Sequence, residues 1–335
     1  NEYTQKFGKQ QGKYYVPQRA AAGLDPWATP QAYDNAKDFF DTGITWSNSL
    51  NVAQMLDKSS YSISLGNTHQ DGIISSTGMD RYNVKVSADT KLTNNWSSGF
   101  TANYITTSID KAVTSGNGLL RTVYAAPPSY DLAGIPSHVD GNPYTQNSFR
   151  GSFDNAYWAM ENNKFTEDTN RFFGNVYASY QTDFGTTNHK LNAKYMVGVD
   201  AYTTHYVDSY GYGSNTGGGR GQIENYGWTN ATYNSLLTIN YDWRINEDWG
   251  LNAVLGNEII QSNRKKYYEY GTNYNFPGWN HINNATTQQT EEETWKNRTV
   301  GFFGNVSASY KNMLYLTLTG RQDYVSNLSL IHISE

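Results

Sequence analysis

Alternation with a period of two constrains this chain more than any other feature. Over residues 172–180, Phe172, Gly174, Val176, Ala178 and Tyr180 fall on one set of alternate positions, and Phe173, Asn175, Tyr177 and Ser179 on the other. Side chains along a strand point to opposite faces in turn, so one face is apolar with aromatic ends and the other is largely polar. The same text returns at residues 302–310 with a single change, Tyr177 against Ser307. The segments between the two copies do not match each other, so a shared physical constraint explains the recurrence better than a duplication.

The pattern is general. Tyr82, Val84, Val86 and Ala88 oppose Arg81, Asn83, Lys85, Ser87 and Asp89; Leu191, Ala193, Tyr195, Val197 and Val199 oppose Lys190, Asn192, Lys194 and Asp200. Leu237, Ile239, Tyr241 and Trp243 oppose Thr238, Asn240 and Asp242; Leu314, Leu316, Leu318 and Tyr324 oppose Thr317, Thr319, Arg321 and Asp323. About ten such runs predict an all-β chain. They lie near residues 44–52, 60–69, 79–92, 96–106, 171–180, 190–201, 236–243, 251–262, 296–310 and 313–324.

Connections alternate in length. Short turns fall at 93–95, 185–188, 246–248 and 311–312, and long loops at about 109–168, 206–225 and 271–295. A sandwich has no reason to keep its long loops at one end, whereas an outer-membrane barrel has short periplasmic turns and long extracellular loops. Trp96, Tyr180, Trp249 and Tyr310 flank the short turns, where an interfacial girdle belongs. Charged residues on the polar faces, such as Lys85, Asp89, Lys194, Asp200, Arg321 and Asp323, are costly in a closed core unless paired and need no pairing in a wet lumen. The competing fold is a soluble sheet with its charged face outward.

Composition removes several function classes. Hydrophobic residues make up 37% of the 335 residues, and no apolar run approaches the roughly 18 residues of a membrane helix, although spanning strands need only alternate apolar positions. Net charge is -5, which gives no nucleic-acid footprint. There is no Cys, hence no disulfide or thiol nucleophile. The six His residues do not pair at metal-ligand spacing, GYGSNTGGGRG (211–221) lacks the ending of a phosphate loop, and Glu291-Glu292-Glu293 reads as a solvated loop tip. No catalytic, cofactor or metal site is expected. Aromatics concentrate in or beside the long loops: Tyr130, Trp158, Tyr210, Tyr212, Trp228 and Trp279 are candidate ligand or partner contacts, and packing within the loops is the plain alternative.

Five stretches carry a resemblance: KDFFDTGITWSNSLNV (37–52), SYSISLGNTHQDGIISSTGMDRYNVKVSADTKL (60–92), PPSYDLAGIP (127–136), RFFGNVYASY (171–180) and NMLYLTLTGRQDYVSNL (312–328). In combination they resemble the SusC/RagA family of TonB-dependent outer-membrane transporters. The resemblance implies a 22-stranded barrel with an N-terminal plug, of which about ten strands would be present here and the plug absent. It also implies TonB engaged through an N-terminal region, a SusD-like surface lipoprotein, outer-membrane lipid around the barrel, and oligosaccharide or peptide cargo. On this reading 1–40 is a plug-to-barrel junction with a short helix opened by Thr29-Pro30, 41–328 is partial barrel, and 329–335 (SLIHISE) is a non-native tail. A passive porin or adhesin barrel, and a soluble carbohydrate-active β-protein, are the alternatives.

Overall fold

The computed structural model describes residues 9–113 and 118–329; of the expected tail, 330–335 lie outside the described residues. Three short strands, β1 (Lys9–Gln10), β2 (Lys13–Tyr15) and β3 (Trp27–Ala28), form a small sheet. Two short helices, α1 (Pro17–Ala21) and α2 (Asn35–Phe39), belong to the same leading segment. Ten strands then form one antiparallel sheet in strict chain order: β4 (Thr45–Met55), β5 (Ser59–Asp71), β6 (Gly78–Lys91), β7 (Trp96–Asp110), β8 (Lys164–Thr182), β9 (His189–Tyr210), β10 (Gln222–Arg244), β11 (Trp249–Tyr274), β12 (Ala285–Tyr310) and β13 (Leu314–Ser329). Between β7 and β8 lie α3 (Leu119–Ala125) and α4 (Ala156–Asn162). No helix among the described residues is long and apolar enough to cross a membrane.

Register fixes the faces. Val176 pairs with Phe100 and Val197, and Val306 with Ala253 and Leu318, so the apolar sets of neighbouring strands share one side. From Leu50 and Ile63 through Val84, Val176, Leu237 and Leu255 to Leu318 this side is exposed, with Leu255 at 62% and Leu318 at 66%. An apolar surface of that extent far exceeds the few hundred Å² normal for a protein in water and belongs against lipid. From Phe172 to Tyr180 the belt spans eight residue steps, roughly 20 Å of height at the usual strand rise and tilt, close to the ~25 Å apolar band of such barrels.

Both copies of the repeated text end on the same device. Tyr180 pairs with Trp96 at a ring separation of 5.0 Å, and Tyr310 pairs with Trp249 at 4.7 Å. In each case a short turn follows the Tyr, and the Trp opens the neighbouring strand. The two copies solve one problem, the descent through lipid to an aromatic girdle.

Four strands outrun the belt. β9 has 22 residues, β10 23, and β11 and β12 26 each. They extend at the long-connection end, so two of the expected loops contract, from 206–225 to 211–221 and from 271–295 to 275–284. The reason is physical: above the belt both faces meet water, the apolar alternation disappears, and backbone pairing continues without it. Glu291-Glu292-Glu293 thus lies on β12, where Lys265–Glu292 (3.0 Å) and Lys266–Glu293 (3.5 Å) pair across to β11.

Several charges on the polar faces are paired. Arg171 binds Asp200 through two bonds of 2.8 and 2.5 Å, Tyr177 donates to Asp89 (2.6 Å), and Arg321 reaches Glu258 (2.8 Å) and Asp323 (2.9 Å). A wet lumen does not demand these pairs, but the lattice of facing side chains supplies them.

Val176 and Asn175 sit side by side in sequence and on opposite faces near mid-belt. Val176→Arg should cost about 2–4 kcal/mol of barrel stability and Asn175→Arg much less. Denaturant titration of the full-length protein refolded into lipid vesicles measures both; equal losses would refute the assignment of faces.

Candidate functional site

At the long-connection end the leading segment and the long β7–β8 connection close over a core of their own. Tyr14, Val16, Phe39, Ile74, Leu132, Ile135 and Trp158 are buried in it. The PPSYDLAGIP element is the seam. Tyr33 N–H donates to the Pro128 carbonyl (2.7 Å), Asn35 donates to the Pro127 carbonyl (3.3 Å) and accepts from Leu132 N–H (3.1 Å). The proline pair holds this backbone extended, which lowers the entropy lost on docking, and here the docking is internal. Helix α2 begins later than the Thr29-Pro30 signal suggests. Asp34 caps it by accepting from Lys37 N–H (3.1 Å), and residues 29–34 stay non-helical.

A second tie joins this body to the 211–221 connection. The largely buried Asp154 carboxylate accepts from Gln146 Nε2 (2.7 Å), Ser214 Oγ (2.5 Å), Asn215 N–H (2.8 Å) and Asn215 Nδ2 (2.8 Å). The next residue, Asn155, caps α4 through Tyr157 and Trp158 N–H and donates to the Asn147 carbonyl. Asn147 in turn donates to the Gln18 carbonyl in α1 (2.8 Å). Charge-assisted bonds of this kind are the stronger ones, and one carboxylate therefore holds two connections in register.

Below that body, beyond the belt, the concave side of β9–β12 carries an aromatic platform. Tyr206 and Tyr226 stack at 4.8 Å, with Trp228 edge-on to both at 5.5 and 6.0 Å. The Arg264 guanidinium lies over Trp228 (5.3 Å) and Trp295 (5.5 Å), and Lys111 over Tyr206 (4.6 Å). Tyr226 donates to Asp208 (3.0 Å). Burial, with Asp208 beside it, pushes the Tyr226 phenol up; burial, with Glu224 beside it, pushes Tyr268 up to about 12. Both therefore remain neutral hydrogen-bond donors at physiological pH. The platform offers ring faces, fixed cations and phenol hydroxyls together.

The aromatics singled out in the sequence divide. Trp158 is fully buried and donates to the Pro143 carbonyl (2.7 Å), and Tyr130 is buried against Phe149, so both build the loop core. Tyr210 packs edge-on to Phe165 at 5.2 Å, and Tyr212 lies half-buried beside the Ile223–Tyr274 cluster. Trp228 belongs to the platform. Trp279 is 44% exposed and stacks between Phe276 (5.8 Å) and His281 (5.0 Å). Sequence reasoning missed Tyr206, Tyr226, Arg264, Tyr268 and Trp295. The available signal was a period-two recurrence of aromatics, as in Tyr226-Gly227-Trp228, just past the 206–225 stretch read as loop.

Comparison with known proteins gives a consistent fold. No family model matches the chain. It is 23% identical over 316 residues to TonB-dependent receptor P3 of Formosa agariphila, a match covering 90% of this chain and 30% of that receptor. Solved structures of the RagAB peptide importer superpose with a TM-score of 0.70 in the closed-closed state (16% identity, 88% of this chain and 33% of that one) and 0.71 in the open-open state (15% identity, 89% and 34%). The chain therefore spans about a third of the length of the proteins it matches. The fold is that of a TonB-dependent receptor barrel.

Asp154→Ala strips the acceptor from Ser214 and Asn215. Loss of charged hydrogen bonds worth about 1.5–3 kcal/mol should speed hydrogen exchange at the Asn215 amide by roughly 10–100-fold, with belt amides unchanged. Exchange measured by mass spectrometry on the full-length protein tests this, and unchanged protection of 211–221 would show that the carboxylate is not the tie.

Proposed function

We infer that this chain is barrel sequence of a SusC/RagA-type, TonB-dependent outer-membrane transporter and that it serves nutrient import. The observation that carries the reading is the uninterrupted lipid-facing belt over ten strands, joined at one end only to a packed body of long connections. The likeness to a TonB-dependent receptor over most of the chain supports it. A soluble carbohydrate-active protein would not expose such a belt. A passive porin shares the belt but not this sequence likeness.

On this reading the short turns face the periplasm and the long connections face outward. Strand β4 runs from the outer end toward a short turn, and Asp41 N–H binds the Ile73 carbonyl at that outer end (2.9 Å). The segment 9–44 is thus read as part of the outer loop body and not as the plug-to-barrel junction expected for 1–40. A SusD-like lipoprotein seats on the outer body. Oligosaccharide or peptide cargo passes the concave platform of Tyr206, Tyr226, Trp228 and Arg264 on its way to the lumen. Coupling to TonB runs through the plug and N-terminal region that the family architecture supplies.

A tag inserted near Gly218 in the full-length transporter should be reached by antibody on intact cells. Deletion of 211–221 should leave barrel assembly intact while reducing uptake and lipoprotein capture. Labelling only after the outer membrane is breached would invert the topology, and unchanged uptake together with unchanged capture would remove the recognition role.

A further inference from the structure

The lipid-facing side of the sheet changes character just above the belt on β11 and β12. Its last apolar layer there is Ile259 opposite Val300, with Tyr324 across on β13. The next positions on that side are Gln261 opposite Arg298, then Asn263 opposite Lys296. Elsewhere Arg81, Lys85, Arg171 and Lys194 take the polar side by the same alternation. Arg298 and Lys296 precede Val300 by two and four residues, about 5 and 10 Å of height at the usual strand rise and tilt. The headgroup layer adds roughly 5–8 Å beyond the hydrocarbon on each side, and long basic side chains bend to meet it. Tyr233, opposite Gln261 on β10 and 49% exposed, marks the same level, as interfacial aromatics do.

The hydrogen bonds within this patch consume its acceptors and leave its donors. Arg298 donates to Gln261 Oε1 through Nε (2.9 Å) and through Nη2. Gln261 Nε2 donates to Asn263 Oδ1 (3.3 Å). Among the described residues, the exposed Lys296 ammonium, the Asn263 amide N–H groups and Arg298 Nη1 have no protein partner. Farther along the same side of β12, the Glu292 carboxylate is held by Lys265 (3.0 Å), so that pair is neutral and the two cations of the patch stay uncompensated.

A patch of donors with two positive charges selects an anion with several acceptor oxygens, and phosphate has both the charge and the oxygens. A neutral headgroup offers no charge, and a zwitterionic one brings its own cation. The patch is continuous with the lipid-facing belt, so the anion that meets it is carried by a lipid. We propose that Arg298, Lys296 and Asn263 form a site for the phosphate of an anionic lipid headgroup, with the acyl chains of the same lipid on Val300, Phe302 and Tyr324. The site concerns the lipid around the barrel and not the cargo. It rests on the outward orientation of the long connections in the proposed function, because the phosphorylated glycolipid that serves as probe occupies the outer leaflet.

The full-length transporter, purified in detergent, is titrated with lipid A and with lipid A stripped of its phosphates, and bound lipid is counted by native mass spectrometry. Lipid A should bind more tightly than the stripped form by roughly 10–30-fold, the weight of two near-surface cations. Arg298→Gln with Lys296→Gln should lose that advantage and leave binding of the stripped form unchanged, whereas Lys85→Gln, on the polar side, should change neither. Asn263→Asp, which adds an acid without removing a cation, should weaken lipid A alone. Heat-modifiable migration confirms an intact barrel in each variant. Equal binding of the two lipids by the unaltered transporter, or an undiminished preference in the double variant, would overturn the proposal. Displacement of lipid A by inorganic phosphate would also overturn it, since the site would then serve a free anion. A photo-reactive residue in place of Thr294 should cross-link lipid in cells; a protein adduct there would make the patch a protein interface and end the lipid assignment. The orientation fails on a different measurement. A tag near Gly218 reached only after the outer membrane is breached would remove the outward reading and the assignment to this lipid with it; a tag reached on intact cells, with no phosphate preference, would discard the patch alone.

Discussion

Every feature of this molecule depends on the pairing of backbone N–H and C=O groups between strands in a medium that offers no alternative partner. In hydrocarbon each unpaired group costs several kcal/mol, so a strand that crosses must be paired along its whole height. The ladder here runs without interruption from β4 to β13, each inner strand bonded on both sides. With pairing settled, side chains are free to follow the pleat alone, and the two faces become independent surfaces. One surface could then be tuned to lipid by Val, Leu, Ala and aromatic ends, and the other to water by Asn, Ser, Arg and Asp. The near-identity of residues 172–180 and 302–310 is a consequence: two descents through the same slab, under the same pairing rule, reach almost the same text.

The same rule explains which parts were legible. All ten strands were readable where they cross lipid, because only there does one face have to be apolar. Above the belt the ladder persists but the contrast between faces is gone, and Glu291-Glu292-Glu293 looked like a loop tip although it pairs with Tyr268, Tyr267 and Lys266. Helix α2 was misplaced because Thr29-Pro30 is a generic start signal, whereas Asp34 wins by reaching Lys37 N–H. That PPSYDLAGIP forms a seam was not legible in the sequence. Its stiffness was evident, but its partners Tyr33 and Asn35 lie about a hundred residues earlier, and one sequence alone does not announce a pairing of that span.

The aromatic residues show the limit most clearly. Trp158 and Trp279 have similar neighbourhoods in sequence, polar and rich in Asn, yet one is wholly buried and the other stands half in water. Their fates are decided by what the 127–136 seam and Asn284 do around them, which are long-range facts. Trp228 was recognised, but its significance comes from Tyr206, Tyr226, Arg264 and Trp295, brought beside it by register across four strands. Register is a property of the whole ladder, so a platform built by register is invisible until the ladder is drawn.

The long-connection end has a division of labour that follows from its materials. Apolar contacts gather the core around Leu132 and Val123, and such contacts by themselves are non-directional. They would let the connections slide. The amide and carboxylate ties, Asp154 to Ser214 and Asn215, Asn155 to α4, Asn284 to the 275–284 connection, are directional and fix positions. A body that combines the two can stand as one piece on strands long enough to raise it clear of the lipid. Rigid strands below and directional ties above mean that a ligand meeting this end encounters surfaces already in place, and the entropy of arranging them has been spent in folding instead of at the moment of binding.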